Sequence, residues 1–326
     1  MNQVDNTVVT PPSTVPPSRV RRLNEGTVRR DASYVLYWMT AYRRTRSNFS
    51  LQRATEWALH LKLPLVVLSA VRLDYPGASD RIHSFLLDSM ADVADDLAVT
   101  PIHVVSYVES ARGAGKGLLA ALAADAALVV TDDAPVFFLP AMTSAAASRM
   151  PTLVEGVDHN GLLPLAASDR VFLRAYDLRR FLQRELPPHL FDTSELPLFA
   201  SLPQLPADQL ANIHARWPSS PPHRDLVGDL PLSRAVRATD KRGGQHEAKA
   251  ALTKFVGRSL SRYEERNHPD EEASSGLSPY LHFGNLSTHQ VFEAVIEAEQ
   301  WSPERLAEHS SGSRSGWWGM SAPAAV

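Results

Sequence analysis

The 326-residue chain has no cysteine. That absence excludes disulfide frameworks, thiolate zinc sites, iron–sulfur clusters and cysteine nucleophiles together, and it leaves only His and carboxylates as metal ligands. No apolar run approaches the ~18 residues that a membrane helix needs. Neither charge is in surplus: Lys+Arg 33 against Asp+Glu 36 gives a net charge of −3. A polycation that coats nucleic acid is therefore excluded, and only a local basic groove is left room. Residues 1–22 hold Pro11, Pro12, Pro16 and Pro17 and the basic Arg19, Arg21 and Arg22, but no apolar stretch, so they are not a secretory signal. Residues 1–30 read as a disordered lead-in. With neither span nor signal, the chain reads as cytoplasmic, with no membrane partner.

The usual catalytic signatures are also missing. Gly113-Ala114-Gly115-Lys116-Gly117 resembles a phosphate loop but has Ser110 where the first glycine belongs and Gly117 where Ser or Thr should follow the lysine; it reads as a flexible helix entry. The 12 histidines show no HExxH or HxH spacing, so no metal site is expected and each is read as structural or surface. No serine occupies a GxSxG elbow. Conventional hydrolase chemistry is not expected on these grounds, and no catalytic side chain is assigned.

What is present is a 44% hydrophobic composition, enough to bury real cores across about two domains. Residues 33–39 (SYVLYWM) form an unbroken β-branched and aromatic run, the pattern of a strand buried on both faces. Phe49, Ala54, Trp57, Ala58 and Leu61 then recur at helical spacing before a second strand at 65–71. A helix over 81–97, strands at 103–108 and 126–131, a helix over 116–124 and a short helix after Pro140 continue the alternation. The pattern predicts a Rossmann-like parallel α/β sheet over 31–170. The stretch 171–242 is expected to be a connector, helical at 176–186 and then carrying nine prolines from Pro187 to Pro231. The last part, 243–326, reads as all-α. Leu252, Phe255, Val256, Leu260 and Tyr263 share one face of a helix that Asn267 and Pro269 should end. Ser278 is the expected N-cap before Pro279, Gly284 a left-handed stop, and Ser287 with Gln290 a capping box.

Two places invite a ligand. Thr131-Asp132-Asp133 lies past the carboxyl end of a strand, where open α/β sheets bind ligands; capping a turn is the equal alternative. Ser274, Ser275, Gly276, Leu277 and Ser278 set three hydroxyls and successive backbone amides before a helix, a cradle suited to a pyrophosphate. Tyr263 and Arg266, one turn apart, are placed to present an aromatic edge and a cation to it.

The motifs RVRRLN (19–24), Tyr34 to Met39 with Arg43-Arg44-Thr45-Arg46-Ser47-Asn48-Phe49, Ala78-Ser79-Asp80-Arg81, the runs 113–119 and 131–140, Val157-Asp158-His159-Asn160-Gly161 and RYEERNHPDEEASSGLSPYLHFGNLS (262–287) together resemble the cyclobutane pyrimidine dimer photolyases, class II above all, of the photolyase/cryptochrome family. The resemblance covers most of the chain. It implies an α/β antenna domain before an all-helical FAD-binding domain, and light-driven electron transfer from reduced FAD to a pyrimidine dimer flipped out of damaged DNA. It also implies a monomer, with a second antenna chromophore of unknown identity as a further cofactor. By motif, Tyr263 and Ser274, Ser275, Gly276, Leu277 and Ser278 match FAD-binding positions, and Arg266 and Asn267 match positions near the lesion strand. After 317–323 (WWGMSAP) the chain stops at Val326, where the family continues. The segment lining the lesion pocket, the residues facing the flavin ring and the aromatic electron-transfer chain are therefore expected to be missing, so that these 326 residues alone bind FAD weakly or not at all and repair no dimers. The resemblance leaves two other outcomes open: a cryptochrome-like photoreceptor and a non-enzymatic remnant.

Overall fold

The computed structural model describes residues 10–194, 199–219, 221–268, 270, 273–307 and 317–320. Strands β1 (Val20–Arg22), β2 (Tyr34–Met39), β3 (Leu65–Val71), β4 (His103–Val108), β5 (Ala126–Asp132) and β6 (Val154–Val157) form one sheet in the order β1-β6-β5-β2-β3-β4. All neighbours are parallel except β1, which runs antiparallel to β6 along the edge. Helices α1 (Phe49–Leu61), α2 (Asp80–Ala98), α3 (Leu118–Ala124) and α4 (Leu139–Ala147) make the crossovers.

Every side chain of β2 is buried, because the alternation of a strand sends it into both layers. Val35, Tyr37 and Met39 pack with Phe49, Trp57, Val93 and Leu97 on one face. Tyr34, Leu36 and Trp38 pack with Leu118, Leu122 and Trp217 on the other. Asn48 caps α1 by accepting the Leu51 amide at 3.0 Å, and its amide nitrogen donates to the carbonyls of Tyr42 and Arg44. The helix cap and the loop leaving β2 are thus held by one side chain.

Three expectations need correction here. The disordered lead-in over 1–30 does not hold for its described part: Val15 and Arg19 are buried and β1 completes the sheet edge. A polar segment gains order when a ready-made edge accepts its hydrogen bonds. Residues 1–9 lie outside the described residues. Strand β6 falls where no strand was expected, since four residues containing Glu155 and Gly156 show no β pattern by themselves. The helix expected over 243–267 is α7 (Gln245–Lys254), then a π turn at Phe255–Ser259 and a 3-10 run at Leu260–Asn267, with Pro269 outside the described residues.

The connector carries α5 (Ala175–Glu185) and α6 (Ala211–Arg216). It behaves as a strap with anchors: Leu202 enters one core layer, Trp217 the other, and Val227 packs on α2. Two further helices, α8 (Ser278–His282) and α9 (Thr288–Ala298), pack with α7 and Phe85 of α2. Among the described residues no helix is long and apolar enough to cross a membrane.

Candidate functional site

The chain order of the strands reverses between β5 and β2, and at such a switch point a crevice opens outside the carboxyl ends of the strands. A cavity of about 960 Å³ lies there. Its walls come from the ends of β2, β3 and β4, from the loop after β5 and from the turn 281–288 of the helical part.

Asp132 ends β5 beside this cavity, and the structure decides between its two readings. One carboxylate oxygen accepts the amides of Thr40, Ala41 and Tyr42 at 2.8, 2.7 and 2.9 Å; the other accepts the Tyr37 hydroxyl at 2.7 Å. Asp132 is therefore the acceptor that shapes the loop after β2. Burial, reinforced by this carboxylate, pushes the Tyr37 and Tyr42 phenols well above their ordinary range. Asp133 takes a two-pronged contact from Arg21 at 3.0 and 2.8 Å, tying β1 to the end of β5. Both carboxylates are spent on structure.

The helical part is fastened to this loop. Arg44, buried, donates to the carbonyls of Ser47 at 2.7 Å and Gly284 at 2.9 Å. Gly284 has φ +70°, and a Cβ there would stand 1.9 Å from the Ala41 carbonyl oxygen; only glycine allows so close an approach. Asn285 donates to the Arg43 carbonyl at 3.2 Å and accepts the Gly244 amide at 3.1 Å. The capping box of Ser287 and Gln290 forms with both arms, and the Ser287 hydroxyl also meets that of Ser47 at 2.8 Å. Beside it, His159 accepts the Phe49 amide at 3.0 Å through Nδ1, so its Nε2–H points to His289 Nδ1 at 3.2 Å. Burial pushes both imidazoles down, with Arg19 and Arg44 adding to it, His289 to about 3.

The other candidate is the turn before α8. Ser274 and Ser278 are exposed, Ser275 accepts the Leu277 amide at 3.4 Å, and Gly276 has φ +65° with open space on its Cβ side. Leu277 points inward and is buried with Phe85 and Tyr280. Lys241, from the connector, donates to the Gly276 carbonyl at 3.2 Å and lies over the Tyr280 ring. Tyr263 meets Phe255 edge-on, and Arg266 folds back over the Tyr263 ring while donating to its carbonyl at 3.2 Å. Asn267 is exposed.

Two details differ from the sequence reading. The N-cap of α8 is Leu277, with Ser278 inside the first turn. The helix is only five residues long, too short to supply the dipole invoked for an anion. The residues still fit a diphosphate in another way: free hydroxyls on Ser274 and Ser278, an open glycine, and the Lys241 ammonium, a cation that motif reading overlooked because it lies 35 residues upstream. Among the described residues no cluster of three His, Asp or Glu stands poised for a metal.

Fold and site define a doubly wound α/β unit with a ligand cavity at its switch point, followed by a helical unit with a hydroxyl-lined turn. No family model matches the chain. It is similar to the deoxyribodipyrimidine photo-lyase of Methanothermobacter thermautotrophicus, with 30% identity over 292 residues, 89% of this chain and 62% of the relative. The deoxyribodipyrimidine photo-lyase of Potorous tridactylus is 26% identical over 295 residues, 86% of this chain and 51% of the relative. That of Arabidopsis thaliana is 22% identical over 311 residues, 90% of this chain and 60% of the relative. The chain thus spans from about half to about three fifths of these curated relatives. The crystal structure of a bacterial class III photolyase from Agrobacterium tumefaciens superposes with a TM-score of 0.52 at 18% identity, over 86% of this chain and 56% of that one. This structural likeness speaks for the fold.

Proposed function

We propose that the chain belongs to the photolyase/cryptochrome family, nearest its class II branch, and that it forms the antenna domain and the diphosphate-holding part of the FAD domain of a DNA photolyase. The observation that carries this reading is the similarity to deoxyribodipyrimidine photo-lyases across 89% of the chain. In this reading Ser274, Ser275, Gly276, Leu277 and Ser278 hold the FAD diphosphate through hydroxyls and loop amides, and Lys241 adds the countercharge. Tyr263 packs beside the nucleotide. Arg266 and Asn267 face the lesion strand of damaged DNA, and the α/β unit carries a second chromophore. Bound and reduced, FAD supplies the photoexcited electron that splits a pyrimidine dimer.

The turn is open to solvent, with Ser274 and Ser278 exposed, so this chain by itself holds FAD weakly and repairs no dimers, because a wet flavin site neither orients nor protects the ring. The test titrates FAD into the 326-residue chain, follows quenching of flavin fluorescence, and assays an illuminated dimer-containing oligonucleotide for repair. Weak quenching that disappears in Lys241→Ala, with no repair, is expected. Failure of FAD to bind a longer version of the polypeptide, with the turn ordered, overturns the reading.

A further inference from the structure

On α7 and the π turn that follows it, one exposed face recurs at every turn: His246, then Lys249 and Ala250, then Thr253 and Lys254, then Gly257 and Arg258. These seven residues line an open groove, and no carboxylate is among them. By helical angle the small residues Ala250, Thr253 and Gly257 run down its middle, with Lys249 on one flank and Lys254 and Arg258 on the other. A Cβ on Gly257 would meet nothing within 4 Å. An α-helix drifts by about 40° every four residues; the π turn at Phe255–Ser259 closes on the fifth residue and slows that drift, so Arg258 stays above Lys254. His246 is held by Asp96 at 3.1 Å, but Lys249, Lys254 and Arg258 have no hydrogen-bond or ion-pair partner among the described residues. Exposed cations elsewhere are paired, as Arg72 is with Asp74, Arg184 with Glu185 and Arg262 with Glu265. In a chain of net charge −3, three unpaired cations on one helix face concentrate a local positive potential.

We propose that this groove holds the phosphodiester backbone of duplex DNA outside any lesion, with Lys249, Lys254 and Arg258 each meeting a phosphate. The proposal takes its partner from the reading of the chain as part of a DNA photolyase, and adds a contact surface that responds to backbone charge and not to damage. No side chain in the lining is aromatic, and none that is apolar is larger than alanine, so the groove lacks the buried anchors on which a protein partner depends. What it offers is charge on two flanks and small residues between them, which let a chain of phosphates come close. Lys249 and Arg258 lie about 13 Å apart along the axis at 1.5 Å per residue, long enough to meet successive phosphates of one strand. Contacts of this kind fix where the duplex lies and carry no sequence information. The same run of turns continues to Arg266 and Asn267, so a duplex held on α7 is led toward the residues read as facing the lesion strand.

The test follows binding of a fluorescein-labelled undamaged duplex to the full chain by anisotropy, from about 50 to 200 mM salt, beside the same duplex carrying one pyrimidine dimer. The triple variant Lys249→Gln, Lys254→Gln, Arg258→Gln is expected to weaken both duplexes by the same factor. It should also flatten the slope of log K against log salt by about 0.9 for each cation removed. All three side chains are exposed, so the circular dichroism spectrum and melting temperature stay as in the parent. If the triple variant does not fold, the three single variants decide, each by a flattening of about 0.9. An unchanged slope, a loss confined to the dimer-containing duplex, or a parent that fails to bind the undamaged duplex at the lowest salt overturns the proposal. FAD titration of the same samples keeps the two readings apart, since these substitutions leave Lys241 and the turn around Gly276 untouched.

Discussion

At the scale of single residues, buried polar side chains do most of the positioning. Asp132 gathers three amides and a phenol, Arg44 spans from the loop after β2 to Gly284, and His159 donates a hydrogen bond to His289 across the junction with α9. The histidine pair makes stability depend on pH. Both imidazoles are neutral in the fold, with His289 pushed down to about 3, whereas in the unfolded chain a histidine titrates near about 6.5. Below that value the unfolded state takes up protons that the fold refuses, so stability is full at neutral pH and falls as pH drops toward 3. Each such histidine contributes up to ~1.4 kcal/mol per pH unit. His83 and His103, also pushed down by burial, add to the slope. Urea melts at neutral and mildly acidic pH should show the loss, with a shallower dependence in His289→Leu; identical slopes for parent and variant would exclude the pair as its source.

At the scale of elements, β6 shows how a weak local signal becomes a firm strand. Glu155 receives Arg53 of α1 at 2.8 and 3.0 Å and the Trp57 indole at 2.8 Å, all buried. Gly156 gives room to Leu23 just beyond β1. The strand is fixed by the helix lying over it and by pairing with β5 and β1. Glu155→Ala removes the two-pronged partner of buried Arg53 and leaves it only the longer pair with Glu56 at 3.8 Å, so it should cost up to about 3–5 kcal/mol, read as a lower urea midpoint; a change below about 1 kcal/mol would mean the pair is screened like a surface one. The same logic explains why β2, β3, β4 and β5 were legible in advance and β6 was not: their apolar runs report burial directly, while β6 depends on a partner 102 residues away.

At the scale of the whole molecule, connector and helical part are bound tightly to the α/β unit. Trp217 is buried and donates to the Ala114 carbonyl at 3.1 Å, Arg242 pairs with Asp88 at 3.2 Å, and a Cβ on Gly243 would lie 2.1 Å from the Phe85 carbonyl. The stretch 169–174 differs, with Arg170, Val171, Leu173 and Arg174 exposed. Limited trypsin digestion should nick first after Arg170 or Arg174, and the two fragments should elute together until denaturant is added. Elution of the α/β fragment alone, with rapid loss of everything after 243, would instead support a remnant in which only the first unit folds.

The residue order alone dictated the alternation of strands and helices, the glycine stop at Gly284, the capping box of α9 and the hydroxyl-rich turn, because each depends on neighbours within a few positions. Only the tertiary structure decided that Asp132 serves the loop 92 residues before it, that Lys241 stands beside Gly276, and that Arg43 lines the cavity with its Nε buried and without a hydrogen-bond partner among the described residues. Those outcomes are set by which distant groups share a dry interior, where each polar atom must find a partner or a ligand.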